Sequence, residues 1–505
     1  MSTSHSQPQR LNFSHVNPIP KNITSNGRLW ELANPTKNMT GKPNIVYLLA
    51  DQIRACSLPV YGDTQIETPH IDRLAQEGTV FSNAIATAPV CTPYRSMLLT
   101  GRHPQTTGHL INFVKTRHDE IGLGDVFNRN GYRTAWVGKW HLHTGSFPEI
   151  GGRDYVPEGR DRLGFQHWRG YNFHTDYFNG TVNLDEDWRN ERWEGYETDA
   201  LNRYAFQFMD DVADDTPFCL FISPHQAHST PYAFAPQEYY DRLPAELQLP
   251  ENVPDSLKEQ SLEIYRHYLA MVLTVDDMLG ELMAYLEKTG RVENTLLVFG
   301  SDHGTQGGAQ GINFWAKREP YEESIKVPLI MRLPGVFDSN RTCDTLTSPV
   351  DLFPSLCGLC GIQPPRTVEG YDLSASWRGE TNTFEQEAVL TMNFGATYDY
   401  LVDGNEWRGA RTKTHSYAHW LDGKRMLYDI ESDPLQLNNL IDNPEAKALA
   451  DEMENILTNL MDTRNDTLQP ATSYRDWYDL QRRIVRNAHG PLGDPEDEPD
   501  WSLLK

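Results

Sequence analysis

The chain has 505 residues, 38% hydrophobic and 23% charged, with 36 Gly and 32 Pro. That balance excludes fibrous, collagenous and disordered classes and leaves room for one large α/β domain with an appended subdomain. Its 45 basic and 70 acidic residues give a formal charge of −25, which repels nucleic acid and anionic membranes, so an anionic ligand needs a locally basic pocket.

Residues 1–42 form a polar arm with no apolar stretch like a signal-peptide core. As given, the chain reads as cytoplasmic; a removed leader would instead place it in the periplasm or outside the cell. No apolar run approaches the roughly 20 residues needed to span a bilayer. The six scattered cysteines do not make a disulfide framework.

Asn44 to Ala50 is a continuous apolar run, the pattern of a strand buried on both faces, and it stops at Asp51-Gln52. Cys91-Thr92-Pro93-Tyr94-Arg95 opens a compact helix signature, with Thr92 as N-cap, Pro93 at the first helical position and Gly101 after the end. Cys91 is thereby expected just outside a helix N-terminus, where backbone N–H groups and Arg95 one turn on favour an anion or an anionic nucleophile.

The same strand grammar recurs at Tyr132 to Gly138, ahead of Lys139-Trp140-His141, at Pro217 to Ser223, ahead of His225 to His228, and at Thr295 to Ser301, ahead of Asp302-His303. Helical patterns such as Tyr265 to Glu287 lie between, which makes a layered α/β fold. In open α/β sheets ligands gather at the carboxyl ends of strands, so these metal-binding, basic and titratable groups form one expected constellation.

Gly164 to Thr198 is dense in aromatics, including Phe165, Trp168, Tyr171, Phe173, Tyr177, Trp188 and Trp193, interleaved with Arg169, His174, Arg189 and Arg192. Such a mixture suits ring stacking and charge pairing with an anionic ligand, or equally the packing of an irregular loop. Cys357 and Cys360 fall within a helical pattern with no second CxxC and read as packed small residues. From about Glu387 short alternating segments, clearest at Trp407 to Thr412 and Met426 to Ile430, precede an amphipathic helix over Pro444 to Met461. This is a smaller antiparallel sheet with a covering helix. A polar and aromatic tail ends in the acidic run Asp494 to Asp500.

Cys91, Pro93, Arg95, Thr100 and Gly101 match the Cys-x-Pro-x-Arg, four residues, Thr-Gly signature, and here the chain resembles the type I sulfatases of the alkaline phosphatase superfamily. The family's other landmarks follow in order over roughly Pro43 to Pro470. They are the opening strand with its metal turn at Asp51, Thr68-Pro69-His70-Ile71-Asp72, Gly138-Lys139-Trp140-His141-Leu142, the His-rich turn Ser223 to Pro231 and Ser301-Asp302-His303-Gly304. Lys317 with Tyr321-Glu322-Glu323, Trp407 to Thr412 and Leu427-Tyr428-Asp429 complete the set.

The resemblance implies a large mixed, mostly parallel sheet sandwiched by helices, with a smaller C-terminal antiparallel sheet plus helix. The expected division is the arm to 42, a catalytic domain over 43–385, a C-terminal subdomain over 386–470 and a tail over 471–505. It implies a sulfuric ester hydrolase in which a formylglycine-generating enzyme oxidises Cys91 to an aldehyde whose hydrate is the nucleophile. Asp51, Gln52, Asp302 and His303, with modified Cys91, would hold one divalent metal. Family precedent favours Ca²⁺. Gln52 and His303 depart from the frequent Asp and Asn, and the imidazole also suits Mn²⁺, with Mg²⁺ a third candidate.

Arg95, Lys139, His141 and Lys317 would surround the sulfate. A hydroxyl of the hydrated aldehyde would attack sulfur while His228, helped by Lys317, protonates the leaving alcohol. His141 would then release sulfate from the covalent hemiacetal. His225 is the other candidate acid and, with His174 and Arg169, a candidate substrate contact. The substrate expected is a sulfated glycan fragment. The alternatives are a phosphonate monoester or phosphodiester hydrolase of the same superfamily and a silent glycan-binding relative that keeps its thiol.

Overall fold

The computed structural model describes residues 41–144, 154–185 and 187–504, with the side chains of 187–189 left aside. Most of the polar arm and the side chains of Trp188 and Arg189 therefore lie outside the described residues. Ten strands form one sheet: β1 (Asn44–Ala50), β2 (Thr79–Phe81), β3 (Arg133–Lys139), β4 (His167–Tyr171), β5 (Thr181–Leu184), β6 (Asp187–Arg192), β7 (Phe218–Ser223), β8 (Thr295–Ser301), β9 (Leu329–Arg332) and β10 (Arg341–Cys343). Their order is β10-β2-β9-β8-β1-β7-β3-β4-β5-β6. The central β8, β1, β7, β3 and β4 run parallel, while β9 on one side and β5 on the other are antiparallel to them, and β6, antiparallel to β5, returns to the central direction.

The continuous apolar run of β1 has a direct physical reason. Ile45, Tyr47 and Leu49 pack into one hydrophobic layer, with the helices Cys91–Thr100 and Pro349–Leu359. Val46, Leu48 and Ala50 pack into the other, with the helices Pro69–Glu77, Glu197–Asp211 and Asp255–Lys288. Period-two alternation sends successive side chains to opposite faces, and both faces are covered, so every position is apolar.

The expected strands match within a residue or two. The helix expected over Tyr265 to Glu287 begins earlier, at Asp255, and runs to Lys288. Cys91 is the first residue of its helix rather than just outside it, and Val90 rather than Thr92 is the N-cap. Thr92 is instead drawn away from capping, since its hydroxyl donates to the His141 carbonyl at 2.5 Å. Gly101 ends the helix in the left-handed region, φ 66°, with its N–H on Met97 O, the conformation for which glycine is favoured.

A second sheet, β11 (Val389–Asn393), β12 (Trp407–Arg411), β13 (His415–Trp420) and β14 (Arg425–Asp429), is antiparallel throughout. The helix Lys447–Asp462 packs on it, and their shared core continues into Ala88, Met97, Leu110 and Ile111. The tail is more than a solvated extension: Tyr474, Trp477, Tyr478 and Ile484 join this core, while the acidic stretch is largely exposed. Arg408 of β12 is buried and chelated by Asp466, at 2.6 and 3.0 Å. Cys357 and Cys360 are buried and free. Among the described residues no helix is long and apolar enough to cross a membrane.

Candidate active site

Because β8, β1, β7 and β3 are parallel neighbours, their carboxyl ends open on one edge at about 4.8 Å spacing. Asp51 and Gln52 follow β1, Asp302 and His303 follow β8, His225 and His228 follow β7, and Lys139 ends β3 just before His141. The helix Cys91–Thr100 crosses there and delivers Cys91 and Arg95, both 0% exposed. Cys91 Sγ lies 3.1 Å from His303 Nε2 and 3.4 Å from Lys317 Nζ, and Lys317 Nζ is 3.2 Å from His303 Nε2 and 3.4 Å from Gln52 Oε1.

The cations are tied to the carboxylates. Lys139 Nζ donates to Asp51 Oδ2. Arg95 Nε donates to Asp302 Oδ2 at 3.1 Å, and its Nη1 donates to Lys139 O and Ser223 Oγ, each at 2.9 Å. Arg95 Nη2 makes no hydrogen bond and sits 3.7 Å from Asp51 Oδ2. Burial raises the Asp51 carboxyl, but the charge of Lys139 beside it more than reverses this and holds it well below the ordinary range. Burial and Asp51 push the Cys91 thiol up, and Lys139, Lys317 and His303 outweigh them, leaving it below its ordinary value. Burial, then Lys139, keeps His141 and His225 neutral, and burial with Lys317 does the same for His228.

A wall of rings closes one side. Phe173 lies 4.6 Å from the His141 ring, 4.9 Å from His225 and 5.3 Å from Phe113, with Lys139 Nζ 5.1 Å from its centroid. His174 packs on Tyr171 at 3.9 Å and on Trp193 at 5.1 Å. Most aromatics of the 164–198 stretch, among them Trp168, Tyr171, Tyr177 and Trp193, are buried packing groups. His174 and His225 reach the wall. Arg169 does not join it, because its guanidinium binds Asp185 and the Trp168 carbonyl.

Several residues that matter here were not singled out from the sequence. Glu197, 0% exposed at the start of its helix, accepts from Tyr171 Oη, from the His225 N–H at 3.3 Å and from Gln226 Nε2 at 3.2 Å. Lys317 owes its position to the small sheet: Trp407 Nε1 donates to Arg318 O at 2.9 Å, and Arg411 grips Glu322 through two bonds of 2.8 and 2.9 Å. A first-turn acid such as Glu197 looks like any helix start in sequence. Gln52, Phe113 and His141 all have left-handed backbones, φ 64°, 61° and 58°, the strain that tightly determined functional sites hold.

Asp51 Oδ1, Arg95 Nη2 and both ring nitrogens of His141, His174 and His225 are buried without a hydrogen-bond partner. Each such atom costs about 1–3 kcal/mol, so their gathering at one place marks a site built for something else to bind. Asp51, Cys91, Asp302 and His303 each offer a ligand atom within 4.8 Å of the others, and Gln52 Oε1 is adjacent through Lys317. Carboxylate, amide and imidazole donors fit a divalent cation. Counting side chains, the three cations Arg95, Lys139 and Lys317 outnumber the two carboxylates Asp51 and Asp302, a local positive balance in a chain of charge −25.

The family model described as Sulfatase matches residues 43–362, and that described as N-sulphoglucosamine sulphohydrolase, C-terminal, matches residues 311–463. An ulvan-active sulfatase of Formosa agariphila is 35% identical over 447 residues, covering 86% of this chain and 84% of that protein. An N-acetylglucosamine-6-O-sulfatase of Bacteroides thetaiotaomicron is 25% identical over 540 residues, covering 90% and 92%. A solved Bacteroides thetaiotaomicron structure, described under the metabolism of multiple glycosaminoglycans, superposes with a TM-score of 0.76 at 25% identity over 86% of this chain and 98% of that one.

Proposed function

The chain belongs to the sulfatase family and is a sulfuric ester hydrolase, and from that premise we propose that its substrate is a sulfated carbohydrate, cleaved through a formylglycine made from Cys91. The observation that carries this reading is the buried thiol among Arg95, Lys139 and Lys317, beside a metal-type donor set and a wall of rings. Relatives named for ulvan and for N-acetylglucosamine-6-O-sulfate support the carbohydrate. A formylglycine-generating enzyme is the maturation partner this requires.

Conversion of Cys91 supplies a hydrated aldehyde, whose hydroxyl can attack sulfur where a thiol cannot regenerate itself. Asp51, Gln52, Asp302 and His303, with residue 91, would hold a divalent cation, with Ca²⁺ favoured over Mn²⁺ and Mg²⁺; bound, it would neutralise the ester oxygens. Arg95 and Lys139 hold Asp302 and Asp51 by hydrogen bonds and leave Arg95 Nη2 to face the anion. Between the two candidate acids, His228 is the half-buried one and feels Lys317, while His225 is sealed behind Phe173. His228 Nδ1 donates to Ser229 O at 2.8 Å, so Nε2 is the free ring nitrogen, and it hands a proton to the departing alkoxide only from the imidazolium form, which the bound sulfate ester anion favours. His141, with both ring nitrogens unpartnered, takes the base role in the second half of turnover. His174 is on the sugar side, with the His225 ring 6.4 Å behind it.

The test is sulfate release from a panel of sulfated mono- and oligosaccharides, with the aldehyde at residue 91 confirmed by peptide mass and Cys91→Ala as control. Release that depends on Cys91 from one sugar class is the expected result. No release despite a confirmed aldehyde would transfer the reading to phosphate or phosphonate esters.

A further inference from the structure

We propose that a chain in which Cys91 is still a thiol binds Zn²⁺ as a closed tetrahedral zinc–thiolate centre through Cys91 Sγ, His303 Nε2 and one oxygen each of Asp51 and Asp302. The inference rests on the reading of Cys91 as a residue awaiting conversion and concerns what the site does before that happens.

The distances carry it. Cys91 Sγ to His303 Nε2 is 3.1 Å, His303 Nε2 to Asp302 Oδ1 is 3.5 Å, and His303 Nε2 to Asp51 Oδ1 is 3.8 Å. Zinc bonds of about 2.3 Å to sulfur and about 2.0–2.1 Å to nitrogen and oxygen, at tetrahedral angles, need separations of about 3.6 Å for S···N and about 3.4 Å for N···O. The three differ from those values by about 0.5, 0.1 and 0.4 Å, which a shift of side chains covers.

Each carboxylate has one oxygen to give. Asp51 Oδ2 is held by Lys139, and its Oδ1 is the buried atom without a hydrogen-bond partner. Asp302 Oδ2 is held by Arg95, and its Oδ1 accepts only the Gln52 N–H, at 3.2 Å. His303 Nδ1 bonds the Gly304 carbonyl at 2.9 Å. A carbonyl can only accept, so Nδ1 carries the hydrogen and the Nε2 lone pair faces the cluster, where it accepts from Lys317 Nζ at 3.2 Å; zinc would replace that donor on Nε2.

The donor chemistry then separates the two forms of the chain. Ca²⁺ takes 6–8 oxygen ligands, and a site with one-oxygen carboxylates needs an oxygen at residue 91. With a thiol there, that position supplies soft sulfur, which selects zinc over calcium. Lys317 Nζ, 3.4 Å from Sγ, stays as an N–H···S donor that balances the thiolate charge. On binding, the S–H bond breaks, an S–Zn bond forms and the proton passes to solvent, with no change of oxidation state. A preparation of mixed conversion should hold zinc in proportion to its unconverted fraction.

The experiment uses the full chain expressed without a formylglycine-generating enzyme, with the thiol verified by peptide mass, stripped of metal and titrated with Co²⁺ as a spectroscopic stand-in. The expected result is stoichiometric binding with a thiolate-to-cobalt charge-transfer band in the near ultraviolet and intense tetrahedral visible bands, both bleached by Zn²⁺. Cys91→Ser should abolish the charge-transfer band, and Cys91→Ser and His303→Asn should each weaken Zn²⁺ binding at least about tenfold. The converted wild-type protein, which lacks a thiol at residue 91 and keeps the other five cysteines, should show no such band and guards against a variant that misfolds. Co²⁺ bound without the band, Zn²⁺ affinity unchanged in Cys91→Ser, or no Zn²⁺ binding at all would overturn the proposal. Sulfate release by converted protein is a separate assay, so failure of the sulfatase reading and failure of this one are told apart.

Discussion

Glu197→Gln should remove a specific pH dependence of stability. Burial lifts the Glu197 carboxyl from its ordinary 4.5 to about 8, against hydrogen bonds from Tyr171, His225 and Gln226 and the charge of Lys139. Below 4.5 the group is protonated folded or unfolded and contributes nothing. Between 4.5 and 8 the unfolded chain releases the proton while the folded chain keeps it, so stability falls as pH rises, and above 8 the cost is constant. At 1.36 kcal/mol per unit, the loss between about pH 5 and pH 8 is roughly 3–4 kcal/mol. A chain of 505 residues unfolds with an entropy of about 1 kcal/mol/K, so the loss reads as about 3–4 °C in Tm. The assay is a pair of melting curves for wild type and Glu197→Gln across that range. All other groups titrate alike in both, so the Tm gap should move by those few degrees in favour of the variant as pH rises. A gap that stays constant with pH, or moves the other way, would refute the reasoning.

Two further outcomes follow from the contacts of the small sheet. Arg411→Ala, and equally Arg411→Lys, breaks the two-bond grip on Glu322 and frees the loop carrying Lys317; kcat for sulfate release should drop on the order of 10²-fold, the cost of about 1 Å of misplacement, because lysine cannot replace a fork of two donors. An unchanged kcat would show that Lys317 is placed without the clamp. Arg408→Met leaves Asp466 charged and buried with Gln105 as its remaining side-chain donor, and should cost about 3–5 kcal/mol, measured as a lowered Tm. Arg408→Met with Asp466→Leu should recover most of it.

What the sequence shows and what it hides divide along a physical line. A strand buried on both faces writes itself as an unbroken apolar run, so β1, β3, β7 and β8 and the groups that follow them are legible. The order β8-β1-β7-β3 is not, because parallel pairing leaves no local mark on the residues that pair. Side-chain direction is hidden for the same reason. Arg169 sits among sugar-compatible residues in the sequence, yet its guanidinium is spent on Asp185. Glu197 reads as a routine helix-start acid, yet all three of its hydrogen bonds go to groups around the His225 turn. The helix begins at Cys91, two residues before the expected Pro93, and the Thr92 hydroxyl, expected as the cap, goes instead to the His141 carbonyl, a contact 49 residues away.

Arg95 shows why such hidden contacts decide chemistry. From sequence it is a cation one turn beyond the cysteine, free to meet a sulfate. In the fold its Nε and Nη1 go to Asp302, Lys139 O and Ser223, which knits β3, β7 and the turn after β8 into one edge. Only Nη2 is left without a hydrogen bond. A guanidinium can hold several groups in fixed directions and still present one donor, which a lysine ammonium at the same place would do without that geometry. The residue therefore sets the spacing of the donor atoms around Cys91 before it contributes charge to any ligand, and the local positive balance exists because Arg95 and Lys139 are anchored to the same carboxylates that a cation would use.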